Sequence, residues 1–163
     1  MARMSELAIR PVRAADVPQV VDLVRAVLAE FRLSFGVGSA TDDAVLELPG
    51  SYESQGGAFW VAERDGEILG TCGIAPLPED RATFELRKMY LAPRARGAGV
   101  GRSLLAAALA FVRSRDGARI VLDTTHEMKD AIRFYERAGF VRDDAQIRGS
   151  RCSRGYVLEL RAS

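Results

Sequence analysis

One stretch constrains this chain more than any other: Arg94-Ala95-Arg96-Gly97-Ala98-Gly99-Val100-Gly101-Arg102-Ser103. Ahead of it, residues 84–91 (FELRKMYL) read as a strand. Behind it, Leu104, Leu105, Ala108, Leu109 and Val112 recur at helical spacing. Glycines and arginines therefore crowd one turn between a strand and the first turn of a helix. Glycine lets a backbone take positive φ and come close to a ligand. A helix start offers unpaired N–H groups and the positive end of a dipole. Together these favour an anion, most often a phosphate. Arg94, Arg96 and Arg102 add full positive charge at the same place, which a turn without a ligand would not need.

Spacing separates the known kinds of phosphate loop. A P-loop needs G-x-x-x-x-G-K-[ST]. Here Gly101 is followed by Arg102, and Arg96 stands where the first glycine belongs. A dinucleotide fingerprint needs G-x-G-x-x-G. Counting from Gly97 the third place falls on Arg102, and counting from Gly99 it falls on Leu104. A nucleotide-binding reading, which predicts stabilisation by ATP or NAD, is therefore the weakest one.

The pattern that fits is [QR]-x-x-G-x-[GA], present as Arg96-Gly97-Ala98-Gly99-Val100-Gly101. It resembles the pyrophosphate loop of the GNAT family, the Gcn5-related N-acetyltransferases. A second segment, Ala131-Ile132-Arg133-Phe134-Tyr135-Glu136-Arg137-Ala138-Gly139-Phe140, is similar to that family's A-x-x-[FL]-Y-x-x-x-G-F helix end.

Length and composition set the outer bounds. A chain of 163 residues can bury a real core, and the expectation is one domain over residues 1–163. A net charge of +1 gives no global pull toward nucleic acid or an anionic membrane. The basic excess is local, at Arg87, Lys88, Arg94, Arg96 and Arg102, which suits a small polyanion. Cys72 and Cys152 lie far apart, and His126 is the single histidine, so no metal site is expected. The first residues carry no apolar run of a secretory leader. Residues 104–112, the longest apolar run, are too few to span a bilayer. A cytoplasmic protein with reduced thiols is the expectation.

In chain order, residues 7–12 read as a first strand, followed by a helix from Val17 to Phe31 capped by Asp16. Thr41-Asp42-Asp43 caps a short second helix that Pro49-Gly50 ends. Residues 58–63 and 67–75 form a hairpin about Asp65-Gly66, and 76–80 read as a loop. Strand 83–91 completes a meander. After the glycine turn come a helix at about 99–115, a buried strand over 119–124 and a helix starting at Thr124 or Thr125. Gly139 ends that helix, and two short strands close the chain, the last over 153–160. This order is α/β: a mixed, mostly antiparallel sheet of about seven strands flanked by about four helices. It matches the GNAT acyl-CoA N-acyltransferase fold, in which the strands around the crossover helix splay apart to admit the cofactor.

The resemblance implies transfer of the acetyl group of acetyl-CoA to a primary amine of a small molecule or peptide, by direct attack in a ternary complex. It places the diphosphate on backbone N–H groups of Arg96, Gly97, Ala98, Gly99, Val100 and Gly101, with Arg102 nearby. The pantetheine arm pairs with the strand edge at Met89, Tyr90 and Leu91. Tyr135 is the candidate general acid for the thiolate, and Glu85 the candidate base for the ammonium. Many relatives carry asparagine where this chain has Met128, so that contact is not carried over. The segments 31–38 and 143–149 are the expected acceptor linings, and a homodimer through the last strands is common in relatives. Trp60 reads as core, Cys72 as buried and inert, Cys152 as lacking the histidine a nucleophile needs, and His126 as a neighbour of a helix start. A different class also fits the loop: a non-catalytic acyl-CoA-binding regulatory module, which would need neither Glu85 nor Tyr135.

Overall fold

A computed structural model describes residues 6–161. The opening residues read above as lacking a leader lie outside that range, except Glu6. One seven-stranded sheet has the order β1-β2-β3-β4-β5-β7-β6. Its strands are β1 (Ala8–Pro11), β2 (Ala58–Arg64), β3 (Glu67–Leu77), β4 (Asp80–Leu91), β5 (Arg119–Thr124), β6 (Val141–Arg142) and β7 (Arg154–Glu159). The helices are α1 (Val17–Glu30), α2 (Gly50–Glu53), α3 (Val100–Ser114) and α4 (Lys129–Arg137). Only β4 and β5 pair in parallel, joined through α3; the other pairs are antiparallel. No described helix is long and apolar enough to cross a membrane.

The helices cover both faces of the sheet. A Cβ on Gly70 would meet Leu104 of α3, whereas one on Gly73 would meet Tyr52 of α2. Residues three apart on a strand face opposite ways, so α2 and α3 lie on opposite faces. Val20, Val24 and Leu28 of α1 and Leu104, Ala108 and Val112 of α3 are fully buried. Each apolar side chain of this size contributes about 1.5–3 kcal/mol of burial. The predicted stripe on α3 is therefore its core face. Trp60 also packs toward α3, with its ring 5.7 Å from that of Phe111.

Several boundaries differ from expectation, each for a local reason. Asp16 does not cap α1. Its carboxylate instead accepts the Arg13 N–H (2.7 Å) and the Arg10 guanidinium (2.8 and 2.9 Å). The expected second helix is a 3-10 turn over Asp43–Glu47, and Pro49-Gly50 starts α2 instead of ending it. β3 and β4 run on through the expected 76–80 loop, since Pro76 and Leu77 still pair with Phe84 and Asp80. α4 begins at Lys129 because Thr124 still pairs with Arg154 and a turn at Thr125 intervenes. The hairpin turn and the helix stop fall where predicted. Asp65 and Gly66 both take positive φ (53° and 78°), and Phe140 N–H closes α4 onto Tyr135 O (3.0 Å).

Candidate active site

The site begins as a defect in the sheet. β4 pairs with β5 only at Thr83, Phe84 and Glu85, while β5 continues to Thr124 against β7. Beyond Glu85, β4 is therefore paired on its β3 side alone. A β-bulge accompanies the parting: Thr71 pairs with Tyr90 and Gly73 with Arg87, so Cys72 opposes two residues, Lys88 and Met89. Bulges bend a strand and raise its local twist. Lys88 sits at φ +56°, a conformation that costs a side-chain-bearing residue about 1–2 kcal/mol. Thr71 Oγ1 donates to Lys88 O at 2.7 Å and fixes the kink. The result is a wedge of about 390 Å³ between β4 and β5, bordered by Glu85, Met89, Tyr90, Leu122, Thr124 and Tyr135.

The glycine turn follows β4, beyond the point where that strand parts from β5. Gly97 and Gly99 take φ +78° and +81°, and a Cβ on either would meet open space. The backbone conformation, not crowding, calls for glycine there. The first bond of α3 runs from Ser103 N–H to Gly99 O (3.1 Å). The N–H groups of Val100, Gly101 and Arg102 thus lie ahead of the intrahelical ladder and point out of the helix start. One expectation is corrected here. The Arg96 N–H donates to Pro93 O at 3.2 Å, so the run of candidate donors starts at Gly97, not Arg96. We expect Gly99→Val to cost about 1–2 kcal/mol of stability through its positive φ. Thermal melts of the variant against the parent protein will measure the effect.

The three arginines of this stretch differ in their commitments. Arg94 pairs with Glu67 in the open. Arg96 grips Glu30 at the end of α1 with both terminal nitrogens (2.8 and 2.7 Å) and also donates to Leu91 O (3.1 Å). Glu30 is held below the usual carboxylate range chiefly by that hydrogen bond. Arg102 is exposed on the first turn of α3.

Tyr135 lies on α4 against the wedge, 6% exposed, with Phe134 and Phe140 rings each 5.6 Å from its own. Burial pushes its phenol up and keeps it protonated at neutral pH. Tyr90 is pushed up by burial to about 12. Glu85 also reaches the wedge but is not free. It accepts Arg87 Nε and has Arg148 Nε 3.5 Å from its other oxygen. Met128 lines the wedge with apolar surface, and Cys72 is wholly buried. Cys152 is partly buried, and burial, then Asp123, pushes its thiol up to about 12. His126 stays exposed, its ring nitrogen 3.0 Å from Ser153 Oγ. Among the described residues no group of three or more metal-ligating side chains assembles.

A buried charge knot escaped the sequence reading. Asp42, wholly buried, accepts Lys88 Nζ (2.5 Å), both Arg151 terminal nitrogens (2.8 and 3.0 Å) and the Gly36 N–H (2.7 Å). It ties the loop after α1, the β4 bulge and the loop before β7 into one roof over the wedge. Burial pushes the Asp42 carboxyl up, but the bonds from Arg151 and Lys88 outweigh it and hold it well below the carboxylate range. Burial also pulls the Lys88 ammonium down, and Asp42 recovers only part of that cost. Asp123 does a similar service nearby, accepting the Arg148 and Gly149 N–H groups (2.7 and 2.8 Å). The sequence signal was a Thr-Asp-Asp triplet, which also reads as a helix cap.

A parted strand pair, a helix start with outward N–H groups and a buried tyrosine together define an acyl-CoA acyltransferase fold. The model of the acetyltransferase (GNAT) family matches residues 24–140, and the chain belongs to that family. It is 39% identical over 127 residues to the uncharacterized N-acetyltransferase YjgM of Escherichia coli (strain K12), covering 77% of this chain and 76% of that one. It is 32% identical over 101 residues to the probable N-acetyltransferase family 8 member 5 of Mus musculus, covering 60% of this chain and 44% of the mouse protein. Among solved structures, a GNAT-family acetyltransferase of Staphylococcus aureus Mu50 superposes with a TM-score of 0.87 at 20% identity, over 96% of this chain and all of that one. The structure of yncA, described as a putative acetyltransferase of Salmonella typhimurium and solved with acetyl-CoA, superposes with a TM-score of 0.77 at 19% identity, over 96% of this chain and 95% of that one.

Proposed function

We propose that this chain transfers the acetyl group of acetyl-CoA to the primary amine of a small molecule or peptide. The observation that carries this reading is the parting of β4 from β5 beyond Glu85, with β4 leading into a glycine-rich helix start whose first N–H groups lie ahead of the intrahelical ladder. A diphosphate fits that helix start, where N–H groups and dipole meet it. The unpaired edge of β4 around Met89, Tyr90 and Leu91 suits the amides of a pantetheine arm. Bound acetyl-CoA supplies the thioester whose acyl carbon the amine attacks.

The remaining roles fall to this chain's own side chains. Tyr135, kept protonated by burial, donates its phenolic proton at the inner end of the wedge. Both Glu85 oxygens already face guanidiniums, Arg87 Nε on one and Arg148 Nε 3.5 Å from the other, so in this reading Glu85 orients the acceptor ammonium instead of acting as sole base. Glu85→Gln should therefore lower kcat by less than tenfold, against the roughly 10²–10⁴-fold expected on losing a true general base. A steady-state kcat comparison decides between the two.

The function is tested by thermal stabilisation with acetyl-CoA, then a thiol-release screen over amino acids, polyamines, aminoglycosides and peptides. Stabilisation with thiol release from one acceptor class is the expected result. Stabilisation without release from any amine would make this a non-catalytic acyl-CoA-binding module.

A further inference from the structure

We infer that the acceptor carries a carboxylate close to its amine, as an α-amino acid does, and that Arg148 with Arg87 recognises that carboxylate. The inference rests on the acetyltransfer reading and names the acceptor class for the same wedge.

Four cations border the wedge, but they are not equally available. Lys88 and Arg151 are spent on Asp42 inside the buried knot. Arg87 gives its Nε to Glu85, and its guanidinium carbon lies 5.8 Å from the centre of the Tyr52 ring. The buried Tyr52 hydroxyl lies beside that cation, under the strand and outside the wedge lining. Arg148 is held at its root, because its own N–H and that of Gly149 both sit on Asp123. Its side chain is 42% exposed and its guanidinium pairs with Glu79, whose side chain is 56% exposed.

An ion pair that open contributes little net stability, so a ligand carboxylate can replace Glu79 at little cost. A planar guanidinium meets such a carboxylate with two parallel N–H bonds. Glu85, between the two arginines, then faces the ammonium of the same molecule. Both signs thus stand a few ångströms apart, with 3.5 Å from Arg148 Nε to Glu85 Oε2. That spacing suits an acceptor whose amine and carboxylate share one carbon. A monoamine or polyamine would offer Arg148 no carboxylate to exchange for Glu79.

The test compares matched acceptors in the thiol-release assay: free amino acids, their carboxamides and the corresponding decarboxylated amines. The free acids should exceed both partners in kcat/KM by about tenfold or more, through KM. Arg148→Gln should collapse that ratio toward one, and Arg148→Lys should restore part of it. Equal or better turnover of the amides, or a ratio indifferent to Arg148→Gln, overturns the inference. Calorimetry with CoA and N-acetyl amino acids against N-acetyl amino amides reads the same preference without turnover. A protein that releases no thiol but still prefers the N-acetyl acids would therefore sink the acetyltransfer reading and leave the carboxylate site standing. Equal binding of acid and amide would remove the site whatever the activity.

Discussion

Asp42→Ala should lower unfolding free energy by about 3–5 kcal/mol, which for a chain of this size is on the order of 10 °C in Tm. The size follows from what is left behind. Lys88 and Arg151 would face each other with no anion between them, and the Gly36 N–H would lose its acceptor. A buried ion group is a weak source of net stability but is costly to break. Arg151→Met should cost much less, since Lys88 and Asp42 keep each other. The acid limb of stability follows with a definite sign. The folded Asp42 carboxyl titrates below its unfolded value near 3.9, so its contribution is complete above about pH 4. Below that pH it drains away as the carboxyl takes up its proton, and Asp42→Ala should flatten this part of the profile. Urea melts of both variants between neutral pH and pH 3 provide the measurement. A wild-type-like Asp42→Ala protein would show that the roof over the wedge is held by other means.

Tyr135→Phe should lower kcat by about a hundredfold while leaving the affinity for acetyl-CoA within a factor of about three. The ring is retained, so its edge contacts with Phe134 and Phe140 and the packing of α4 persist. Only the hydroxyl of this wedge-bordering residue is lost. Burial pushes the phenol up, so it remains a donor across the neutral range. The wild-type rate should therefore rise with pH as the acceptor amine loses its proton, with no falling limb below about pH 10. Rate profiles over that range, with single-turnover kinetics to isolate chemistry, read both effects. An unchanged kcat in the phenylalanine variant would remove the acid assignment.

The fold was legible because its strongest signals are local. Asp65-Gly66 dictates a hairpin, Gly139 a helix stop, and the stripe from Leu104 to Val112 a core face on α3. The glycine turn was legible for the same reason, since positive φ at Gly97 and Gly99 demands glycine whatever the surroundings. Relations between distant segments were not legible. Nothing near Asp42 in sequence announces Lys88 or Arg151, which reach it from 46 and 109 positions away. Glu85 was visible as a carboxylate on the right strand, but Arg148, 63 positions further on (148 − 85), decides how free it is. The β4 bulge was hidden too, because Lys88 is neither glycine nor asparagine, the residues that usually betray positive φ. The arginines of the turn misled in a smaller way. Their charge suggested a ligand, yet Arg94 and Arg96 have carboxylate partners within the chain, Glu67 and Glu30.

The backbone between Gly97 and Arg102 is the proposed diphosphate cradle, and a crystal structure of the protein with coenzyme A tests that role most directly. The predicted result places diphosphate oxygens about 3 Å from several of those amide nitrogens, with the pantetheine arm lying between β4 and β5. A diphosphate bound elsewhere, or the carrier lying outside the wedge, would contradict it.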